Sequence, residues 1–254
     1  MIVIVSPAKR LNFDTSKLSK RSTPLFIKDA NLLVSQLRKL SSTRLQKLMS
    51  VSAKIADLNV DRFQLWDQST TSEKAKQALL AFCGDVYLSL DATTFSTKDF
   101  DFAQKHLRIL SGLYGVLKPL DMIQPYRLEM GTRLKNKHGE HLYDFWGSRI
   151  TDVINAELEK MPRAVLVNLA SDEYFRSIVA DKLSATIITP VFKEKKNRTH
   201  KVISFTAKRA RGMMARHIIK NRITSPELLK QFCDKDYRYR DELSTTSQWV
   251  FTRG

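Results

Sequence analysis

The stretch AVLVNL at residues 164–169 is a short apolar run rich in valine and leucine, and it predicts a buried β-strand. The run IVIV at residues 2–5, which ends at Ser6-Pro7, predicts a second strand of the same kind. Further strands are predicted at residues 185–192 (ATIITPVF) and 201–205 (KVISF). Because these strands are combined with long helical stretches, we predict a mixed α/β (α+β) fold.

Helical patterns occupy most of the first half and alternate with strands in the second. A first helix is predicted after Thr23-Pro24, where leucines recur near helical spacing as far as Leu40. Further helices are predicted at residues 42–50, 53–65, 71–82, 97–110, 147–160, 207–221 and 226–233, and a hairpin at residues 237–242 and 248–252. No Ser/Gly/Pro-rich linker divides the chain, so we predict one compact domain over residues 1–254.

The charge of the chain is its unusual property. Its 254 residues include 43 Lys+Arg and 26 Asp+Glu, a net charge of +17, and a 43% hydrophobic content excludes a largely disordered protein. Residues 193–222 alone carry eleven basic residues and one acid, Glu194, and residues 9–47 and 104–137 are also basic. Charge concentrated in this way predicts a polyanionic partner.

Several classes of protein and site do not fit the sequence. Cys83 and Cys233 lie far apart, which excludes a disulfide framework and fits a reducing cytoplasm. No apolar run approaches the ~18–20 residues of a membrane span, and the N-terminal run is too short for a signal peptide. His138 and His141 form an H-x-x-H pair without further ligands nearby, so we expect no metal and no cofactor.

The segment SGLYGV at residues 111–116 stands between predicted helices that end at Leu110 and begin at Leu117. This layout predicts a helix-hairpin-helix whose backbone amides clamp a DNA phosphate, through Gly112, Leu113, Tyr114 and Gly115. The usual clamp has Gly-hydrophobic-Gly, and the spacing here is one residue longer, so an ordinary turn stays as the alternative. The flanking cations are Lys105, Arg108, Lys118 and Arg127.

The segment AKRARGMMARHIIKNR at residues 207–222 predicts a basic amphipathic helix, with methionine and isoleucine on the face toward the core. Its candidate contacts to phosphates are Lys208, Arg209, Arg211 and Arg216. A solvated helix that spreads its long side chains over the surface is the structural alternative. Association with an anionic membrane fits less well, because the apolar face lacks Trp and Phe.

Polar residues follow the first strand and the strand at residues 164–169. Loops at the carboxyl ends of strands often bind ligands in α/β folds, which predicts a pocket there. Its candidate residues are Ser6, Lys9, Tyr126, Arg127, Asn168 and Ser171. If the pocket is catalytic, Asp172 or Glu173 is the general acid/base and Lys9 is an anion holder or nucleophile.

Five blocks of the sequence resemble the YaaA family of bacterial peroxide-stress proteins. They are SPAK (6–9), FAQKHLRILSGLYGVLKPLDMIQPYRLEMG (102–131), YDFWG (143–147), NLASDEYF (168–175) and VISFTAKRARGMMARHI (202–218). The resemblance implies a family-specific single-domain fold with a basic cleft and a helix-hairpin-helix element. It also implies binding to double-stranded or distorted DNA with little sequence preference, and a role in hydrogen peroxide stress through lowered free iron.

Two hypotheses for function follow. The first is a non-enzymatic, cytoplasmic and monomeric protein that binds the DNA backbone. The alternative is a nucleic-acid-modifying enzyme that acts on a flipped base, because acids and aromatics accompany the basic residues.

Overall fold

The protein is described here by a computed structural model that covers residues 1–16, 18–68, 74–196 and 199–254, and one mostly parallel β-sheet forms its centre. Within these ranges the strands are β1 (Ile2–Val5), β2 (Lys76–Gln77), β3 (Leu107–Ser111), β4 (Gly115–Leu117), β5 (Met122–Ile123), β6 (Val165–Leu169), β7 (Thr186–Lys196), β8 (Thr199–Lys201), β9 (Arg238–Tyr239) and β10 (Gln248–Arg253). The order in the sheet is β4-β3-β1-β6-β7-β10-β9, and β8 pairs with β7.

The five inner strands, from β3 to β10 in this order, run parallel, and the two edge strands run antiparallel to their neighbours. Val3 of β1 lies between Leu107 of β3 and Val167 of β6. From β1 the chain continues to β3 on one side, whereas from β6 it continues to β7 on the other. The carboxyl ends of β1 and β6 therefore flank a topological switch point, where α/β sheets form a crevice.

Helices account for the rest of the regular structure and pack around the sheet. They are α1 (Ile27–Leu37), α2 (Ser42–Met49), α3 (Ala53–Gln64), α4 (Ala78–Ala81), α5 (Asp85–Leu90), α6 (Thr97–His106), α7 (Leu142–Trp146), α8 (Arg149–Leu158), α9 (Asp172–Phe175) and α10 (Ser204–Lys220), with 3₁₀ turns between them. One hydrophobic cluster extends from Met1 to Phe251 and joins both halves of the chain.

Most of the predicted elements are confirmed, since α1 to α3, α8, α10, the strands β1, β6 and β7 and the β9–β10 pair stand where the sequence places them. The prediction for residues 71–82 is wrong over its described part, because only Ala78–Ala81 is helical and β2 precedes it. The start signal of that predicted helix, Thr71 to Glu73, lies outside the described residues. The strand predicted at 201–205 is also wrong: β8 ends at Lys201 and α10 begins at Ser204.

The predicted helix-hairpin-helix is a β-hairpin. The helix predicted to reach Leu110 ends at His106, and Leu107–Ser111 becomes β3, paired parallel to β1 and antiparallel to β4. The turn is fully buried: Leu113 and Tyr114 have no exposed surface, and the indole nitrogen of Trp146 donates to the Gly112 carbonyl at 3.0 Å. No phosphate can reach these amides, so Gly112 and Gly115 are required for packing instead.

The close approach of Gly112 to a neighbouring segment explains why a glycine stands there. A Cβ atom at Gly112 would lie 2.4 Å from the Leu128 carbonyl oxygen, and one at Gly115 would lie 2.8 Å from the Trp146 ring. Gly115 also has a φ of +69°, a conformation that favours glycine. The glycine-rich turn thus supports residues 126–129 from behind.

The basic helix α10 crosses α5 at very short distance, and Gly212 makes this possible. A Cβ atom at Gly212 would lie 2.1 Å from the Val86 carbonyl oxygen and 3.0 Å from the Ser89 Cβ. Beyond this crossing, the Arg216 guanidinium donates to the carbonyls of Leu90 and Asp91, both at 3.0 Å. Carbonyls at a helix end have no partner within the helix, so Arg216 satisfies the end of α5.

We predict that Gly212→Ala destabilises the protein, because the added methyl group forces α10 away from α5. Overpacking of a close contact costs about 1–3 kcal/mol. Gly131→Ala is the matched control, since its Cβ would come no closer than 3.3 Å to another residue, and the atom it meets is a side-chain oxygen of Glu173 rather than backbone. Urea unfolding of both variants measures the difference, and equal free energies of unfolding would contradict this role of Gly212.

Candidate functional site

A cavity of about 570 Å³ opens at the carboxyl ends of β1 and β6. Four segments surround it: residues 6–10 after β1, residues 83–87 at the start of α5, residues 126–129, and residues 169–174 around the end of β6. The helix α10 completes the wall with Lys208 and Arg211. The cavity therefore occupies the crevice at the topological switch point and has the size of a small-molecule site.

Two serines join the strands at the base of the cavity. The Ser6 hydroxyl oxygen accepts a hydrogen bond from the Ser171 backbone nitrogen at 2.9 Å and donates to the Ser171 hydroxyl at 3.2 Å. The buried Tyr87 hydroxyl donates to the Ser6 carbonyl at 2.9 Å. These bonds fix the ends of β1 and β6 relative to α5.

The wall formed by residues 126–129 is held by the buried hairpin behind it. The Tyr126 hydroxyl and the Ser111 hydroxyl share a hydrogen bond of 2.7 Å. The Glu129 carboxylate forms ion pairs with Arg127 at 2.8 Å and with Lys9 at 3.2 Å, so two cations of the cavity are paired with the same carboxylate. The Arg127 Nε is nevertheless buried without a hydrogen-bond partner among the described residues.

The acids after β6 have different surroundings. Glu173 accepts a hydrogen bond from the Gly131 backbone nitrogen at 3.0 Å, and its own carbonyl accepts from the Tyr143 hydroxyl at 2.8 Å. Glu173 thereby ties α9 to the segment that follows Glu129. Asp172 is exposed at the mouth of the cavity and is close enough to Arg211 to stabilise its charge.

Arg211 is a cation of the cavity wall that has no close partner in the described ranges. It is half-buried in the cavity wall, and this burial lowers the pKa of its guanidinium, an effect that nearby Asp172 opposes. No acceptor in the described part of the chain lies within hydrogen-bond or ion-pair distance of it. Lys208, one turn earlier, is exposed at the same wall and is also without an ion-pair partner there.

Three buried tyrosines contribute flat surfaces to the cavity: Tyr87, Tyr126 and Tyr174. Burial raises the pKa of each phenol well above its ordinary value. All three therefore stay neutral at physiological pH and act as hydrogen-bond donors rather than as bases.

The structure brings together seven of the residues that the sequence predicts for a pocket or for catalysis. They are Ser6, Lys9, Tyr126, Arg127, Ser171, Asp172 and Glu173. Asn168 does not join them, because its side chain is buried within β6, where its amide oxygen accepts from the Ala170 nitrogen and its amide nitrogen donates to Thr189. It is therefore not among the residues that line this cavity, whereas the next residue, Leu169, is, because alternate residues of a strand point to opposite faces.

Three of the predicted DNA contacts have carboxylate or carbonyl partners within the protein. Arg108 is only 3% exposed and forms a two-pronged ion pair with Glu157, at 2.7 Å for both bonds. Lys118 shares this carboxylate at 3.1 Å. Arg216 caps α5, as described above. Arg209 remains exposed and lies 3.9 Å from Asp85, with its guanidinium over the Phe205 ring.

The segment at residues 83–87 is a part of the cavity that the sequence analysis missed. The sequence predicts that the helix at residues 71–82 ends before Cys83-Gly84, and it predicts no new helix after them. In the structure, α5 begins immediately afterwards, at Asp85. The available signal was an acid in the first turn after a glycine, which is typical of a helix start. Tyr87, Leu128 and Tyr174 were missed because their positions become meaningful only once distant segments meet.

None of the helices in the described ranges is long and apolar enough to cross a membrane. No group of three or more His, Cys, Asp or Glu side chains in those ranges is arranged to hold a metal ion.

The whole chain is similar to known proteins. Residues 1–243 match the family model described as peroxide stress protein YaaA. The chain belongs to the YaaA family of peroxide stress proteins. It is 53% identical over 254 residues to a relative from Teredinibacter turnerae and 50% identical to one from Colwellia psychrerythraea, both named "UPF0246 protein". Each alignment covers 100% of this chain and 99% of the relative, so the resemblance stated from the sequence is confirmed.

We predict that Arg108→Met lowers the free energy of unfolding by about 3 kcal/mol, because it leaves the partly buried Glu157 without its main partner. Lys118→Met is the matched control: its side chain is 45% exposed, and an ion pair of that kind contributes at most about 1 kcal/mol. Chemical denaturation measures both values. If the two variants unfold alike, Arg108 does not have the structural role assigned here.

Proposed function

We propose that this protein binds DNA with little sequence preference, through a basic face at the carboxyl edge of the sheet, as part of a peroxide stress response. The observation that carries the proposal is the set of exposed or unpaired cations around the cavity mouth. On residues 6–10 and α10 these are Lys9, Arg10, Lys208 and Arg211, and the exposed Arg209 follows on α10, 3.9 Å from Asp85. Cations of this kind neutralise phosphates whatever the base sequence.

A basic ribbon extends the same face. The strand β7 continues for six residues, from Val191 to Lys196, beyond the level of Leu169 at the end of β6. This is a distance of roughly 20 Å at about 3.3 Å per residue. Together with β8 it carries the exposed Lys195, Lys196 and Lys201. Because β7 runs parallel to β6, this ribbon projects beyond the edge at which the cavity opens. An extended basic face of this kind suits contact with several successive phosphates.

The proposed contacts differ from those of a helix-hairpin-helix protein. The buried hairpin contributes nothing to them, and α10 contributes only its first half, because Arg216, Lys220 and Arg222 are held by carbonyls or by Asp99. The proposed interface is therefore made of long side chains rather than of backbone amides. Binding of this kind is strongly weakened by salt.

We predict that duplex affinity falls with salt, with a slope of log K against log salt near −5 if about six phosphates are neutralised. Lys195→Gln with Lys208→Gln should reduce that slope by about 2. Fluorescence anisotropy across a salt series measures both. The control is Lys47→Gln with Lys54→Gln, which removes the same charge from exposed positions of α2 and α3.

Two results would contradict the proposal. A wild-type slope near zero would mean that phosphates are not the ligand. Equal loss of slope in the two double variants would mean that net charge alone, and not this face, determines binding.

A second candidate is a nucleic-acid-modifying enzyme that takes a flipped base into the cavity. The observation that favours it is the gathering of Asp172, Tyr126 and the two serines at one cavity beside the basic face. Asp172 is exposed and is the carboxylate least engaged by the protein, so it is the candidate general acid/base.

We predict for this second candidate that Asp172→Asn abolishes base release or strand cleavage while leaving DNA affinity within about twofold of wild type. Labelled duplex, bulged and single-stranded oligonucleotides, incubated with each protein and separated by size, provide the measurement. Absence of any product with wild-type protein would remove the enzyme hypothesis and leave the binding proposal intact.

A further inference from the structure

The cavity contains positive charge that the protein does not neutralise. Arg211 is half-buried in its wall without an acceptor in the described ranges, and the exposed Lys208 beside it has no ion-pair partner there either. The buried Arg127 Nε likewise has no partner there. A guanidinium withdrawn from water without a counter-charge is destabilising, so such a site favours the entry of an anion.

None of the four acids that line the cavity (Asp85, Glu129, Asp172 and Glu173) forms an ion pair with Arg211 or Lys208. Glu129 is already shared by Lys9 and Arg127, and a Glu173 oxygen accepts from the Gly131 nitrogen. Asp172 interacts with Arg211 only from beyond ion-pair distance. The planar fork of an arginine matches a phosphate group, to which it can donate two parallel hydrogen bonds.

The serines at the base add a neutral donor. Because the Ser6 hydroxyl donates to the Ser171 oxygen, the Ser171 hydroxyl proton is free to point elsewhere. Within the described residues it donates to no protein acceptor. It is thus available to an oxygen atom of a ligand at the end of β6.

Another part of the lining is apolar or aromatic. Leu128 and Leu169 are buried beside the neutral rings of Tyr87, Tyr126 and Tyr174. Such surfaces suit a planar ring system, which can pack against apolar and aromatic side chains. A ligand that satisfies both parts of the cavity combines a phosphate with a flat heterocycle.

We propose that this cavity binds a nucleoside monophosphate. Arg211 and Lys208 contact the phosphate group of this ligand, and the tyrosine-lined part of the cavity contacts its nucleobase. The cavity volume of about 570 Å³ lies within the range of about 300–1,000 Å³ usual for such ligands. The inference goes beyond the DNA binding proposed above and does not depend on it, because the ligand is a free nucleotide. A phosphorylated strand end of DNA has the same chemistry and is the second possible source.

Isothermal titration calorimetry with AMP and dAMP tests the inference on the full chain. We expect saturable binding of at least one nucleotide, and binding weaker by about tenfold or more for adenosine and for ribose 5-phosphate, which lack one half of the ligand. Arg211→Met, which keeps the apolar stem of the side chain, should also weaken binding by about tenfold or more. Arg44→Met on α2 removes an exposed arginine far along the chain and should leave the affinity unchanged.

The melting temperature of each variant is measured first, and the exposed Lys208→Met replaces Arg211→Met if the latter does not fold. Absence of binding at millimolar nucleotide would overturn the inference, as would equal affinities of the Arg211 and Arg44 variants. Ribose 5-phosphate that binds as tightly as AMP would overturn the assignment of the base. None of these results depends on DNA, so they are separate from failure of the DNA proposal.

A final experiment distinguishes a free nucleotide from a phosphorylated strand end of DNA as the ligand of the cavity. Duplexes of one sequence, with and without 5′-phosphates, are compared by anisotropy for wild type and Arg211→Met. A preference for phosphorylated ends that disappears in the variant assigns the site to strand termini. Equal affinity for both duplexes, with nucleotide binding intact, assigns it to the free nucleotide.

Discussion

The close crossing of α10 over α5 at Gly212 is the constraint on which the candidate site depends. The Val86 carbonyl occupies the space that any side chain at position 212 would need. This contact holds the first half of α10 beside residues 83–87, and so brings Lys208 and Arg211 to the crevice between β1 and β6. Without it the cavity would lose one of its walls.

The cations of this very basic chain divide into two groups with different consequences. Arg108, Arg216, Lys220 and Arg222 are held by carboxylates or carbonyls and stabilise the fold. Asp99 forms ion pairs with Lys220 and Arg222. The hydrogen bonds that it accepts from Lys220 and Ser96 lower the pKa of its carboxyl group to about 2, although burial acts in the opposite direction. The cations around the cavity and on the β7–β8 ribbon have weaker or no such partners. The net charge of the chain therefore overstates the number of cations that are available to a ligand. The distribution of the charges over the surface matters more.

The sequence predicts the parts of this fold that depend on local pattern. The apolar runs at β1 and β6 and the periodic leucines of α1 to α3 are sufficient for that, and loops after parallel strands predict where Ser6 and Ser171 meet. Prediction from the sequence fails where pairing between residues that are distant along the chain determines the secondary structure. Residues 107–111 (LRILS) form a pattern too short to separate the end of a buried helix from a strand, and only pairing with β1 about a hundred residues earlier selects the strand. The glycines of the following turn then become buried packing positions, which no local motif could show.

The central claim is that the carboxyl edge of the sheet is the functional face. Hydrogen–deuterium exchange of the protein with and without duplex DNA tests this claim most directly. Slower amide exchange at residues 6–10, along the β7–β8 ribbon and in the first turn of α10 is the result predicted here. Exchange at residues 112–115 should not change, because these residues are already buried. Protection confined to α2 and α3, with the carboxyl edge unaffected, would contradict the account.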